Sequence, residues 1–338
     1  TSKIIFSLAP FWDTVSYHRK KLMKKTKGNH DFDTCVIEFC LIWLRSWNPQ
    51  PSKISFYALQ KLIENTSTIY PTITWLLYRN IINKIKRDKI KTVIQGNGGD
   101  ELFGGYYTHY LSYLYSIKNS NFFKDEYSSW KKKLKPFIRS KNLNDFDLFS
   151  KNQKKGINPN FHKTELLQKF FNIKTNNKFF KKKIFFKDLL KDILYKDLFY
   201  YSLPIQLTFS DNISMSFGVE NRSPFLSKEL YEFSFKLQNK FLIHDGFTKY
   251  ILRETFKSII PKEIATDKEK VGFFGNINDV VDLKDPKYKE IVFDNSFLKK
   301  IISEKDVQKI FNKKEFLDNH ESHLLFSLIN TGIFLNSF

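Results

Sequence analysis

The run Lys91-Thr92-Val93-Ile94-Gln95-Gly96-Asn97-Gly98-Gly99-Asp100-Glu101-Leu102-Phe103-Gly104-Gly105-Tyr106 decides the fold. Its first five residues are a β-branched, apolar-rich stretch and read as a buried strand. The eleven that follow are glycine-dense and lead into a helix. Parallel α/β sheets bind ligands at such strand-to-helix turns, because glycine leaves backbone N–H groups open to phosphate. Asp100 has two readings on these residues alone: a hard oxygen ligand suited to Mg²⁺ on a polyphosphate, or a cap for the next helix. The cap is the better of the two at this point.

Upstream of the strand, Ile73, Leu76, Leu77, Ile81, Ile82 and Ile85 keep helical spacing and predict a helix over 73–85 feeding it. Lys3 to Leu8 reads as a second short buried strand, stopped by Ala9-Pro10, and Tyr17 to Thr26 as a polar helix. Downstream, residues 111–187 are rich in Lys, Asn and Phe with weak periodicity and read as helices and loops. From Leu189 onward helical patterns return. Leu252, Phe256, Ile259 and Ile260 predict a helix that Pro261 ends. The second half is therefore mainly α.

Composition narrows the class further. Hydrophobic residues make up 41% of the 338 and aromatics 17%, enough for a sizeable core and too apolar for a disordered chain. No apolar run approaches the roughly 20 residues that span a bilayer, which argues against a membrane partner. Cys35 and Cys40 are the only cysteines and read as reduced core thiols of a cytoplasmic protein. The net charge of +21 favours anionic partners. The lysines are spread along the chain, however, and a solvated lysine-rich surface accounts for them as well as a nucleic-acid patch does.

Two further clusters change the weight of the glycine loop. One runs Asp211-Asn212-Ile213-Ser214-Met215-Ser216-Phe217-Gly218-Val219-Glu220-Asn221-Arg222-Ser223-Pro224-Phe225-Leu226. The other runs Asp245-Gly246-Phe247-Thr248-Lys249-Tyr250-Ile251-Leu252-Arg253-Glu254, with Lys268-Glu269-Lys270-Val271-Gly272-Phe273 after it. With the loop, these resemble, in order and spacing, the synthetase domain of the glutamine-hydrolysing asparagine synthetase family, in its GNGGDE-loop form. That family's hallmarks look like SGxGxDELFGGY, DRxSMAxSxExRxPFLD, DGxTKxxLR and KxGF.

The resemblance implies an α/β fold with a parallel sheet of the adenine nucleotide alpha hydrolase-like (PP-loop ATP pyrophosphatase) type and a mainly α C-terminal half. It divides the chain into a nucleotide-binding part at 1–110, a variable helical insert at 111–187 and a helical completion at 188–338. It implies ATP-dependent adenylation of the aspartate side chain, followed by displacement of AMP by ammonia. By that similarity Lys249 contacts pyrophosphate and acyl-adenylate, Asp100 holds Mg²⁺, and Phe6, Gln95 and Gly96 lie along ATP with Gly98 and Gly99. Lys270 is a second phosphate-side cation. A lysine in the first turn of a helix opposes the helix dipole, so Lys249 is easier to explain facing a phosphate. Glu220 and Arg222 have two equal readings, a structural ion pair beneath the site or a direct role.

The departures are equally specific. The family's SGGxDS pyrophosphate loop is absent from these residues, as is the glutaminase domain that supplies ammonia. Residue 1 thus reads as a truncation point rather than as an N-terminal nucleophile, and the fragment alone is expected to be inactive. Loss of the loop is also expected to leave strand 3–8 or strand 91–95 with an unpaired edge. Asn97 stands where many members have Glu, and an amide cannot serve as a general base. Ser227 and Asn212 replace the usual Asp and Arg. The competing readings are a relative acting on another carboxylate, as in surface-polysaccharide synthesis, a non-catalytic remnant, and a basic nucleic-acid-binding module. Aspartate or a similar carboxylate, and ammonia, are the expected partners; a nucleic acid is not, and a homodimer is compatible with the sequence.

Overall fold

The computed structural model describes residues 4–7 (backbone only), 54–138, 140, 143–154, 170–171, 183–260, 262–268, 276–313, 315 and 317–338. The cysteines, the helix read at 17–26, Pro10, Pro261 and Lys270 lie outside the described residues. Three parallel strands, β1 (Ile4–Ser7), β2 (Thr92–Gln95) and β3 (Glu220–Arg222), form a sheet in the order β1-β2-β3. Phe6 pairs with Ile94, and Ile94 with Arg222. Two of these strands are where the apolar runs predicted them. The strand at 91–95 is not an edge: it is central, paired on both sides, while β1 and β3 are the outer strands among the described residues.

Helix α1 (Phe56–Thr66) starts at Ser55, whose hydroxyl accepts from the Ala58 N–H, and buries Leu59, Leu62 and Ile63. Helix α2 (Thr74–Arg87) buries Leu76, Leu77, Ile81, Ile82 and Ile85 on one face, the face the sequence periodicity marks out. Lys84, Lys86 and Arg87 in its last turn favour the negative end of the helix dipole and extend it past Ile85. These helices, Val93 and the C-terminal helix share one hydrophobic core, to which that helix gives Leu325, Phe326 and Ile329.

A second core begins directly after the glycine turn. It takes Leu102 and Phe103 from α3 (Gly99–Phe103), Tyr110, Leu111 and Leu114 from α4 (Tyr107–Ser116), and Trp130 from α5 (Phe123–Lys133). It also takes Leu190, Leu194 and Leu198 from α6 (Leu189–Phe199) and Leu203 from α7 (Leu203–Ser216). From 111–187, Trp130, Leu134, Ile138, Phe146 and Phe149 are thus packed into this core, whereas Phe170 and Phe171 pack against the first. Residues 96–101 join the two cores, since Val93 belongs to one and Leu102 to the other.

A two-stranded hairpin, β4 (Ile243–His244) and β5 (Phe247–Thr248), precedes α8 (Tyr250–Phe256). Asp245 and Gly246 at its tip have φ of 49° and 80°, the pair of positive values that a type I′ turn requires. Helix α8 stops at Phe256, short of the predicted Ile260. The apolar period there marks no buried face, since Phe256 and Ile259 are 38% and 75% exposed, and the chain closes in a turn whose Ile259 and Ile260 N–H groups both donate to the Phe256 carbonyl at 2.9 Å. Among the described residues no helix is long and apolar enough to cross a membrane.

Candidate active site

Asp100 and Lys249, 149 residues apart in sequence, meet: Lys249 Nζ donates to Asp100 Oδ1 at 2.8 Å. The side chain of Lys249 is only 5% exposed and that of Asp100 20%, so the pair is largely removed from water. Such a pair is sustained by mutual charge compensation; removing one partner strands the other. Asp100 sits in the first turn of α3, where its negative charge also suits the helix dipole. Gly105 makes its position possible. A Cβ on Gly105 would stand 1.6 Å from Asp100 Oδ1, so only glycine leaves that space to the carboxylate.

Lys249 is not in the first turn of α8, as its place in the sequence predicts. It is the cap residue, with φ 53°, a left-handed conformation that costs a non-glycine residue about 1–3 kcal/mol. The hairpin before it is clamped onto α4 and α5. Asp245 Oδ1 accepts from Ser129 Oγ at 2.9 Å and Lys133 Nζ at 2.6 Å, and the Gly246 N–H donates to Tyr110 Oη at 2.9 Å. Glu126 takes the Asp245 N–H at 3.2 Å and the His244 ring at 2.5 Å. On the far side Arg253 donates from Nε to the Thr248 carbonyl at 2.8 Å and from Nη1 to that of Ala265 at 2.9 Å. Lys249 is therefore held from both directions.

Arg253 and Lys268 also face the Phe247 ring, at 5.6 and 4.1 Å from its centroid. Burial, then the neighbouring Lys133 charge, pushes the Lys268 ammonium below its ordinary pKa, and burial does the same to Arg253. This concentration of cations beside Lys249 was legible only as motif residues without roles.

A second polar group ties the loop to the 211–226 cluster. Gln95, buried at the end of β2, donates from Nε2 to Asn221 Oδ1 at 2.9 Å and to the Tyr78 hydroxyl, and accepts from Asn97 Nδ2 at 2.6 Å. Tyr78 also meets Ser214 Oγ at 2.9 Å. Tyr78 carries no motif; its spacing marks α2 as a helix and says nothing of a hydroxyl buried against β2. Burial pushes its pKa up, so it stays a neutral hydrogen-bonding group.

Beneath Asp100, the buried Glu101 accepts from Tyr106 Oη at 2.6 Å and Ser202 Oγ at 3.1 Å. Burial, and then the charge of Asp100, raise its pKa. Gly99 turns its N–H inward to the Gly96 carbonyl at 3.2 Å, so that donor is engaged inside the turn rather than left open to a phosphate. Phe6 contributes a strand position beside Ile94. Glu220 and Arg222 do pair, at 3.0 Å, yet their side chains are 54% and 64% exposed. That is a surface pair worth about 0–1 kcal/mol, not a buried support of the site. Among the described residues no group of three or more His, Cys, Asp or Glu side chains could hold a metal.

A parallel sheet whose central strand ends in a glycine turn, with a paired carboxylate and lysine beside it, is the kind of place where an α/β protein binds its ligand. The family profile for asparagine synthase matches residues 57–329, and the chain belongs to that family. A stretch of 64 residues is 31% identical to Asparagine synthetase [glutamine-hydrolyzing] 1 of Bacillus subtilis (strain 168), covering 19% of this chain and 10% of that protein. The chain thus aligns with about a tenth of the length of this curated relative.

Proposed function

We propose that the chain is the synthetase part of an ATP-dependent amide-forming enzyme, with a sheet of the adenine nucleotide alpha hydrolase-like type, acting on the side-chain carboxylate of aspartate. In this reading a carboxylate oxygen attacks the α-phosphorus of ATP, the bond to the β-phosphate breaks and pyrophosphate leaves. Ammonia then attacks the activated carbonyl carbon, loses a proton and expels AMP. The observation that carries the reading is the Asp100–Lys249 contact, which joins two motifs far apart in sequence at one point.

Lys249, pre-positioned by Asp100 and the hairpin, offsets charge as it builds on the departing pyrophosphate. Arg253 and Lys268 add to the same field. Asp100, a hard oxygen donor, would hold Mg²⁺ with the help of the nucleotide's own phosphates. When bound, Mg²⁺ would neutralise phosphate charge. Lys270 is proposed as a further phosphate-side cation, and Phe6, Gly96, Gly98 and Gly99 as the edge along which ATP lies. Ammonia comes in this reading from a glutaminase domain, in the cytoplasm.

Asn97 favours a second reading, in which the same chemistry acts on a different carboxylate, since an amide there cannot take the proton that a glutamate could. Exchange of radiolabelled pyrophosphate into ATP by the full-length protein, run against a panel of carboxylates, separates the two. Exchange that depends on aspartate supports the first; exchange with another acid but not aspartate supports the second. No exchange with any member rejects both.

A further inference from the structure

The amide side chains at the end of β2 have a polarity that one fixed point determines. The backbone carbonyl of Ser210 can only accept, so the atom of Asn221 lying 3.0 Å from it is Nδ2. Asn221 therefore turns Oδ1 toward Gln95, whose Nε2 donates to it at 2.9 Å. Gln95 must then present Oε1 to Asn97, and Asn97 answers with Nδ2 at 2.6 Å. The Tyr78 hydroxyl reinforces this sense: it accepts from Gln95 Nε2 and reaches Asn221 Oδ1 at 3.3 Å and Ser214 Oγ at 2.9 Å. Reversing any one amide would set acceptor against acceptor or donor against donor, and buried polar groups left so are costly.

We propose that this relay fixes Asn97 as a hydrogen-bond acceptor toward the ligand, with Oδ1 turned away from Gln95 to receive an N–H group. Gln95, Asn221 and Tyr78 are its positioning residues. Asn97 stands between Gly96 and Gly98 at the C-terminal end of the central strand, where ligands approach a parallel sheet. The Oδ1 so placed is an acceptor for a nitrogen that carries hydrogen, with the second Nδ2 hydrogen left as a donor beside it. The inference rests on the ATP-dependent reading above, under which two such groups exist: the 6-amino group of adenine and the ammonia nucleophile.

Asn97→Leu in the full-length protein removes the acceptor at similar volume. If adenine is the donor, the Kd for ATP rises about tenfold, while the triphosphate of purine riboside, which lacks the amino group, binds parent and variant alike. If ammonia is the donor, its KM rises by about as much and the Kd for ATP does not. Gln95→Glu tests the relay itself. A protonated glutamic acid can donate to Asn221 and accept from Asn97; an ionised one can only accept. Referred at each pH to the parent, which cancels the titration of ammonia and of ATP themselves, the parameter that Asn97→Leu moves should therefore lie closer to the parent value at about pH 6 than at about pH 8 in this variant. A folded Asn97→Leu protein with neither parameter changed, or a Gln95→Glu protein with no pH dependence, overturns the inference while leaving the ATP-dependent reading intact. A parent protein that does not bind ATP overturns both.

Discussion

Asp100 depends on a neighbour that has no side chain. The carboxylate occupies the volume a Cβ at position 105 would need, so Gly105→Ala has to displace Asp100 from Lys249. Overpacking of this kind costs about 1–3 kcal/mol, and here it should also lower activity beyond what the loss of stability explains. Thermal unfolding and turnover of Gly105→Ala check both parts; a variant with parental turnover would show that Asp100 needs no fixed place. The spacing of Asp100 and Gly105 in the loop is visible in the sequence, but their contact is not, because it depends on how the chain turns at Gly104. Tyr78, Asn221 and Ser214 were harder still. Their hydrogen bonds join residues more than a hundred apart in sequence, from Tyr78 to Ser214 and from Gln95 to Asn221, and no local pattern carries such information.

At the scale of elements, α2 and β2 were readable to within two residues because each has a strong apolar period. Strand β3 was not, since Glu-Asn-Arg is polar and mostly exposed and pairs only because β2 offers an edge. The hairpin at 243–248 carries an Asp-Gly signal that motif matching passed over. Gly246 has φ 80°, and an added Cβ would lie 2.7 Å from the Lys133 Cβ. Gly246→Ala should therefore cost about 1–3 kcal/mol and loosen Lys249; denaturant unfolding reads the first and the KM for ATP the second. Helix α6 offers a test of burial. Lys191 donates to the Ser234 carbonyl at 3.1 Å, and burial pushes its pKa down to about 8 from 10.5. Between those values the unfolded chain holds a proton that the folded one has lost, so stability rises with pH across the window. Below about 8 both states are charged and the cost is fully present. Lys191→Met should be more stable than the parent at neutral pH and should flatten the rise between pH 8 and 10.5; parental pH dependence in Lys191→Met would refute the assignment.

For the whole molecule, the glycine turn and helix α7, which gives Leu203 to one core and Ile213 to the other, join two cores, and the family's match over residues 57–329 takes in most of both. The net charge of +21 comes largely from lysines spread along the chain. Binding to generic DNA or RNA should accordingly be weak and collapse with added salt, as phosphate neutralisation releases counterions; salt-resistant, sequence-preferring binding would point to a nucleic-acid function instead. The proposed function requires Asp100 and Lys249 to act as one unit on the phosphates of ATP. Its most direct test is pyrophosphate exchange by the full-length protein and by Asp100→Ala, Lys249→Ala and the double variant. Each single change should lower exchange about 10²-fold or more, with the double variant scarcely worse than either, because groups acting together are not additive. Single variants that exchange at the parental rate, in folded protein, would contradict it.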